Sequence, residues 1–256
     1  MRLRKILAER FVRKRAWRAS PTPMISITFD DFPRSALTVG GRLLIEYGWR
    51  GTYYSALGLI GTTCSAGPMF TRIDLDALLA VGHELACHTF AHTSCLSVSA
   101  GEFIGACAQN RCAAATMLSG YQLRNLSFPH GHITLAAKRL LQSEYDTCRS
   151  IEWGINSDPV DLSFLRANPI YSRLPIERLK QLIMTNSRAK GWLVLYTHDV
   201  AIDPSPYGCT PEYFQEVLGC VLDSGAEVVT IGEGASRYEL CRTAESTLGS
   251  ARPDTS

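Results

Sequence analysis

Two aspartates stand side by side at Asp30-Asp31, after the apolar run 24–29 and just before Phe32-Pro33. Neighbouring residues of a strand point to opposite faces, so one carboxylate can reach a metal while the other takes a second position. His88 and His92 lie four residues apart and face the same side if the segment between them turns as a helix does. Two imidazoles and the Asp31 carboxylate make a donor set for one small metal ion. Three protein ligands leave a coordination position open to water, which a catalytic site needs and a structural one does not. His198 closes the apolar run 191–196 with Asp199 beside it, and an imidazole there can carry a proton to a leaving group near neutral pH. The loop Phe128-Pro129-His130-Gly131-His132 can present a backbone N–H, that of His130, to a developing oxyanion. Each feature has a plainer reading when taken alone. An aspartate close before proline marks a turn, a rim histidine often only forms hydrogen bonds, and His83 reads as a structural support for the strand after it.

The case for chemistry rests on where these residues fall. Strands are expected at 24–29, 52–57, 84–88, 125–128, 191–196 and 226–230, alternating with helices at 73–81, 99–119, 133–143, 175–188 and 211–223. Two helices carry start signals: Ser99 with Glu102 forms a capping box, and Thr210 precedes a proline at the first helical position. Such alternation predicts an α/β fold with a parallel sheet wrapped by helices. Asp30-Asp31, His88, Pro129-His130 and His198 each follow one strand. In a barrel of parallel strands the carboxyl ends gather at one mouth, so residues distant in sequence can surround one substrate.

Composition narrows the classes. The chain has 256 residues, 46% of them apolar, enough for one sizeable core. Residues 1–18 carry eight Lys or Arg against Glu9 alone, which leaves 18 basic and 23 acidic residues in the rest. The body is mildly acidic and offers no broad basic face for nucleic acid. The basic arm at 1–19 interleaves charge with Leu3, Ile6, Leu7, Phe11, Val12 and Trp17; a docked or solvated helix is the plainer outcome, and weak contact of residues 1–18 with a membrane surface is the sharper one. Arg or Lys recurs too often there for a signal peptide or a membrane span. Nine cysteines, an odd number with no C-x-x-C pair, read as buried thiols in a cytoplasmic setting. A working domain at 20–240 and a polar tail at 241–256 complete the expected organisation.

Thr28-Phe29-Asp30-Asp31, Gly51-Thr52-Tyr53-Tyr54, the stretch Gly82 to His92, Phe128-Pro129-His130-Gly131 and Leu195-Tyr196-Thr197-His198 occur in the order of the motifs of the NodB-like polysaccharide deacetylases, carbohydrate esterase family 4, and the chain resembles that family over residues 24–232. The resemblance implies a distorted, incomplete (β/α) barrel of the NodB homology type. It implies Asp31, His88 and His92 as ligands of a divalent metal, usually Zn2+, with Asp30 as general base and His198 as general acid. The implied reaction is hydrolysis of the N-acetyl group of an amino sugar in an N-acetylated carbohydrate.

Three departures stand out. Ser127 takes the place of the arginine that orients the catalytic aspartate in the family, and Arg124 lies nearby but out of register, so either another cation orients Asp30 or the chain belongs to a branch with a small residue there. His130 replaces a tyrosine, although its expected contribution is its backbone N–H. The fourth motif is blurred across residues 151–162, where Asp161 or Asp158 can serve beside the catalytic histidine; Asp161 is preferred because Asp158 precedes a proline. Two alternatives stay open: a catalytically impaired carbohydrate-binding barrel, suggested by the missing arginine, and a related deacylase acting on an O-acetyl ester or another C–N bond, since these use similar metal chemistry.

Overall fold

The computed structural model describes residues 2–240. Eight parallel strands form one curled sheet: β1 (Met24–Asp31), β2 (Thr52–Ser55), β3 (Glu84–Cys87), β4 (Asn125–Ser127), β5 (Thr147–Arg149), β6 (Asn168–Pro169), β7 (Trp192–Thr197) and β8 (Glu227–Val228). Their order is β6-β7-β1-β2-β3-β4-β5. The second edge of β1 is divided: β8 pairs with Met24 and Ile25, and β2 pairs with Thr28 to Asp31. The ring of strands is incomplete between β5 and β6, where one bridge, Arg149 to Leu165, joins the edges. This is the expected incomplete barrel.

Burial explains why the central strands read as continuous apolar runs. Every residue of β7 and all of β1 except Asp31 is buried, because helices cover the outside and side chains fill the inside. Along β1 the period of two sends Ile25, Ile27 and Phe29 to the helix-facing core, while Met24 joins Tyr54, Ala86, Val194 and Tyr196 in a second, interior cluster. Ser26, Thr28 and Asp30 share the parity of Met24. Asp30 is thereby aimed into the barrel, at its carboxyl-terminal mouth.

The helices occur at Arg72–Ala80, Ala100–Met117, Leu135–Leu141, Ile176–Ala189 and Pro211–Asp223, each within a few residues of its expected span. Both start signals act as read: the Ser99 and Glu102 side chains cap each other's backbone N–H, and the Thr210 side chain accepts from Tyr213. Elements outside the expected set include two short strands, the turn-helix unit at 36–46, the helix Ile231–Ala235 and the hairpin of Thr63–Cys64 with Gly67–Pro68. Strands β5 and β6 are only three and two residues long and, unlike the equally short β4 and β8, carry no apolar run. The turn Ala36–Gly41 with the helix Arg42–Glu46 contains Thr38, Val39, Gly40 and Gly41, all weak helix formers. Its glycines are there for closeness, since a Cβ on Gly40 would lie 2.8 Å from the Phe29 ring.

The basic arm is docked on the body. It forms the helix Arg2–Arg10 and then the strand Arg15–Trp17, which pairs antiparallel with Val160–Asp161 and Glu239–Leu240. The buried Lys138 ammonium donates to the carbonyls of Ala8 (2.7 Å) and Phe11 (3.0 Å). Leu7, Phe11 and Val12 stay exposed. No helix among the described residues is long and apolar enough to cross a membrane. Eight cysteines are described and none is in a disulfide; Cys64 and Cys112 are exposed rather than buried. The tail at 241–256 lies outside the described residues.

Candidate metal centre and active site

Beyond Asp30 the backbone of β1 leaves the extended region: Asp31 has φ 62° and Phe32 φ 65°. The change of direction swings the Asp31 carboxylate away from Asp30 and toward the end of β3. There His88 and His92 meet it, with Asp31 Oδ1 at 3.4 Å from His88 Nε2 and 3.2 Å from His92 Nε2. The two histidines converge through a bend, not the helical turn expected from their spacing. Thr89 (φ 60°) and His92 (φ 53°) adopt left-handed conformations, and the Thr89 hydroxyl accepts the Thr93 N–H at 2.8 Å. Together with His130 (φ 58°), these are non-glycine residues held where the backbone costs about 1 kcal/mol or more each, a strain that surrounding structure must maintain.

Donor chemistry fits a small divalent cation. One ligand atom from each of Asp31, His88 and His92 lies within 4.8 Å of the others. Ligands about 2.0–2.1 Å from a tetrahedral ion stand about 3.3–3.4 Å apart, and the two carboxylate-to-imidazole distances match that edge. His88 Nδ1 lies 2.8 Å from the Ser127 carbonyl; a carbonyl only accepts, so Nδ1 carries the hydrogen and Nε2 keeps a free lone pair. Burial lowers the His88 pKa to about 4, leaving the neutral imidazole that ligation requires. Asp31 Oδ1 is buried and accepts no hydrogen bond, a costly state for a carboxylate oxygen that a cation would relieve.

Asp30 sits beside this set in a different environment. The fully buried Arg149 donates from Nη2 to both Asp30 oxygens and to Ser127 Oγ. Its guanidinium is flanked by the rings of Tyr54 and Tyr196, with centroids 5.0 and 4.8 Å away. Burial by itself raises the Asp30 pKa, but the Arg149 charge, followed by His88 and His198, outweighs it and holds the carboxyl below its ordinary value. Asp30 is therefore an ionised carboxylate at neutral pH. Ser127 on β4 and Arg149 on β5 are register partners, so the guanidinium missing from Ser127 arrives from the next strand. Arg124 serves elsewhere, pairing with Asp146 at the surface.

His198 approaches from the opposite wall. Its Nε2 is 3.9 Å from Asp31 Oδ2, and its Nδ1 is 3.2 Å from the Tyr207 carbonyl. His130 lies edge-on to His92 with ring centroids 4.4 Å apart, and His132 Nδ1 is 2.8 Å from Ser94 Oγ. The turn directs the Gly131 and His132 N–H groups to the carbonyls of Phe128 and Pro129. Asp30, Asp31, His88, His92, His130 and His198 line one cavity of about 400 Å3. Gly131, Ile151, Tyr171, Tyr196, Ser205, Tyr207 and the loop Cys64 to Ala66 complete its walls.

Asp161 is not brought to this cavity. Its carboxylate pairs with Lys138 at 2.5 Å and accepts the backbone N–H groups of Arg13, Lys14 and Ser163, so it anchors the arm. Asp158 pairs with Arg18 at 2.9 Å. His83 is the support expected of it, its Nδ1 accepting the Gly51 N–H at 3.0 Å. Arg149 escaped the sequence reading; its one signal was an arginine inside the short run Thr147-Cys148-Arg149, where a chain lacking the usual guanidinium needed one.

Several solved structures share this architecture. A chitin deacetylase from the fungal pathogen Colletotrichum lindemuthianum aligns over 85% of this chain and 88% of its own, with 16% identity and a TM-score of 0.59. A family 4 acetyl xylan esterase from Clostridium thermocellum, solved with a cobalt ion, aligns over 82% and 89% with 17% identity and a TM-score of 0.57. A mutant of a carbohydrate esterase family 4 pseudoenzyme with restored activity aligns over 86% and 70% with 12% identity and a TM-score of 0.56. At these identities the likeness establishes the fold. No curated protein matches the chain by sequence. The polysaccharide deacetylase family model matches residues 18–145, half of the chain, and takes in the paired aspartates and both metal-segment histidines. The chain belongs to the polysaccharide deacetylase family.

Proposed function

We propose that this protein hydrolyses the N-acetyl group of an amino sugar in an N-acetylglucosamine-containing oligo- or polysaccharide, releasing acetate. Asp31, His88 and His92 hold a divalent cation, Zn2+ in this reading. Bound there, the ion supplies Lewis-acid polarisation of the acetyl carbonyl and acidifies a water. Asp30 takes the proton of the attacking water on its carboxylate, which Arg149 keeps ionised and oriented. The His130 N–H donates to the oxygen that gains negative charge. His198 acts with a proton on each ring nitrogen, giving the Nε2 proton to the departing amine, a poor leaving group until protonated, and keeping the one on Nδ1.

The observation that carries the reading is the ionised Asp30–Arg149 pair beside the three-donor cluster, with the His198 imidazole facing it across one cavity. The impaired-barrel alternative drew its support from a missing arginine, and Arg149 removes that support. Asp30→Asn is expected to keep about one metal per chain and lose most acetate release from N-acetylglucosamine oligomers. Near-normal turnover in that variant would remove Asp30 as the base. The same assay on O-acetylated sugars separates the ester reading: faster release from the O-acetyl substrate would overturn the N-acetyl assignment.

A further inference from the structure

Among the described residues, no carboxylate pairs with His198 Nδ1. Asp199, its neighbour in sequence, is 1% exposed and turned away: Oδ2 accepts the Ser205 N–H at 2.7 Å and Oδ1 accepts the Ser205 hydroxyl at 2.5 Å. Asp158 and Asp161 are held in ion pairs elsewhere. What faces His198 is the Tyr207 carbonyl, on which three donors converge: His198 Nδ1 at 3.2 Å, the His198 backbone N–H at 3.1 Å and the Thr197 hydroxyl at 3.3 Å.

The carbonyl itself is held by the loop that Asp199 closes. Ser205 Oγ accepts the Tyr207 N–H at 3.2 Å, the Ser205 carbonyl accepts the Gly208 N–H at 3.0 Å, and the Asp199 carbonyl accepts the Cys209 N–H at 3.0 Å. Gly208 packs so tightly on the carboxylate that an added Cβ would stand 2.3 Å from Asp199 Oδ1. Bonds therefore run from Asp199 to Ser205, from Ser205 to Tyr207 and from Tyr207 to His198.

We propose that Asp199 is a positioning residue for His198, acting through the Ser205–Tyr207 loop, and that the Tyr207 carbonyl fixes the Nδ1–H tautomer so that Nε2 faces the cavity. A ring nitrogen is assigned by what its partner can accept, and a neutral carbonyl fixes the tautomer as a carboxylate does without adding a charge. The kinetic part of this inference rests on the proposed role of His198 as general acid; the tautomer part does not.

The test uses the full, zinc-loaded chain. Histidine ring 15N spectra are recorded above pH 8, with His198 assigned by its loss in His198→Gln. The wild type is expected to show His198 as the Nδ1–H tautomer. In Asp199→Ala the Nε2–H form should appear alongside it, kcat for acetate release should fall about tenfold or more, and KM should stay within about threefold. Asp199→Asn, which keeps one acceptor for Ser205, should recover most of the wild-type pattern. If Asp199→Ala fails to fold, Ser205→Ala reads the same direction with a smaller change. A wild-type Nε2–H tautomer would overturn the proposal. So would a wild-type ring pattern in both Asp199→Ala and Ser205→Ala. An inert wild type with the expected tautomers would overturn the deacetylase reading alone.

Discussion

Arg149 orients Asp30 from β5 while Ser127, on the adjacent strand, carries the hydroxyl that shares its guanidinium. Removing one partner of a buried ion pair strands the other charge, at a cost of about 3–5 kcal/mol. Arg149→Met should therefore lower the denaturation midpoint and cut kcat on the order of 100-fold while metal content stays near one per chain. Ser127→Arg combined with Arg149→Ser should recover part of the lost rate, because the two positions are in register. Full activity in Arg149→Met would separate Asp30 orientation from this arginine. That Asp30, Asp31, His88, His92 and His198 gather at one cavity was legible in the sequence, because the carboxyl ends of parallel strands meet at one mouth. Arg149 was not, because a guanidinium exchanged between neighbouring strands is a fact of register, which linear spacing does not record. Asp161 was assigned by its place in the chain, and its neighbours in space are Lys138 and the arm.

At the scale of elements, the long strands and capped helices were readable, since buried runs and capping boxes leave local signatures. Two short strands were not: Thr147-Cys148-Arg149 and Asn168-Pro169 lack the apolar runs that mark the equally short β4 and β8, and both exist through their neighbours. Helical spacing also gave a wrong mechanism for the right result at His88 and His92, where a bend pinned by Thr89 replaces the turn. The arm illustrates how tertiary pairing decides a segment. Lys138 and Asp161 form a buried ion pair that also fixes the backbone of residues 8–14. Asp161→Asn should destabilise the fold by about 3 kcal/mol, following the cost of breaking such a pair, and leave kcat of the folded protein within about twofold. A tenfold loss of kcat with unchanged stability would return Asp161 to the site.

Across the whole molecule, one buried histidine outside the site ties stability to pH. Burial and then the Arg50 charge lower the His83 pKa from 6.5 to about 4, so between those values the unfolded chain binds a proton that the folded chain refuses. Stability present above pH 6.5 is thus lost as pH falls toward 4, by up to about 3 kcal/mol. His83→Asn should flatten that part of the denaturation midpoint against pH, and an unchanged slope would exclude His83 as its source. The same architecture gathers strand ends into one cavity, the seat of the proposed metal-dependent deacetylation. The decisive measurement is acetate release from N-acetylglucosamine oligomers by purified protein after chelation and again after zinc is restored, with Asp31→Ala in parallel. Release should vanish with the metal, return with zinc and stay absent in Asp31→Ala; release that persists through chelation, or that Asp31→Ala retains, would contradict metal-dependent deacetylation at this site.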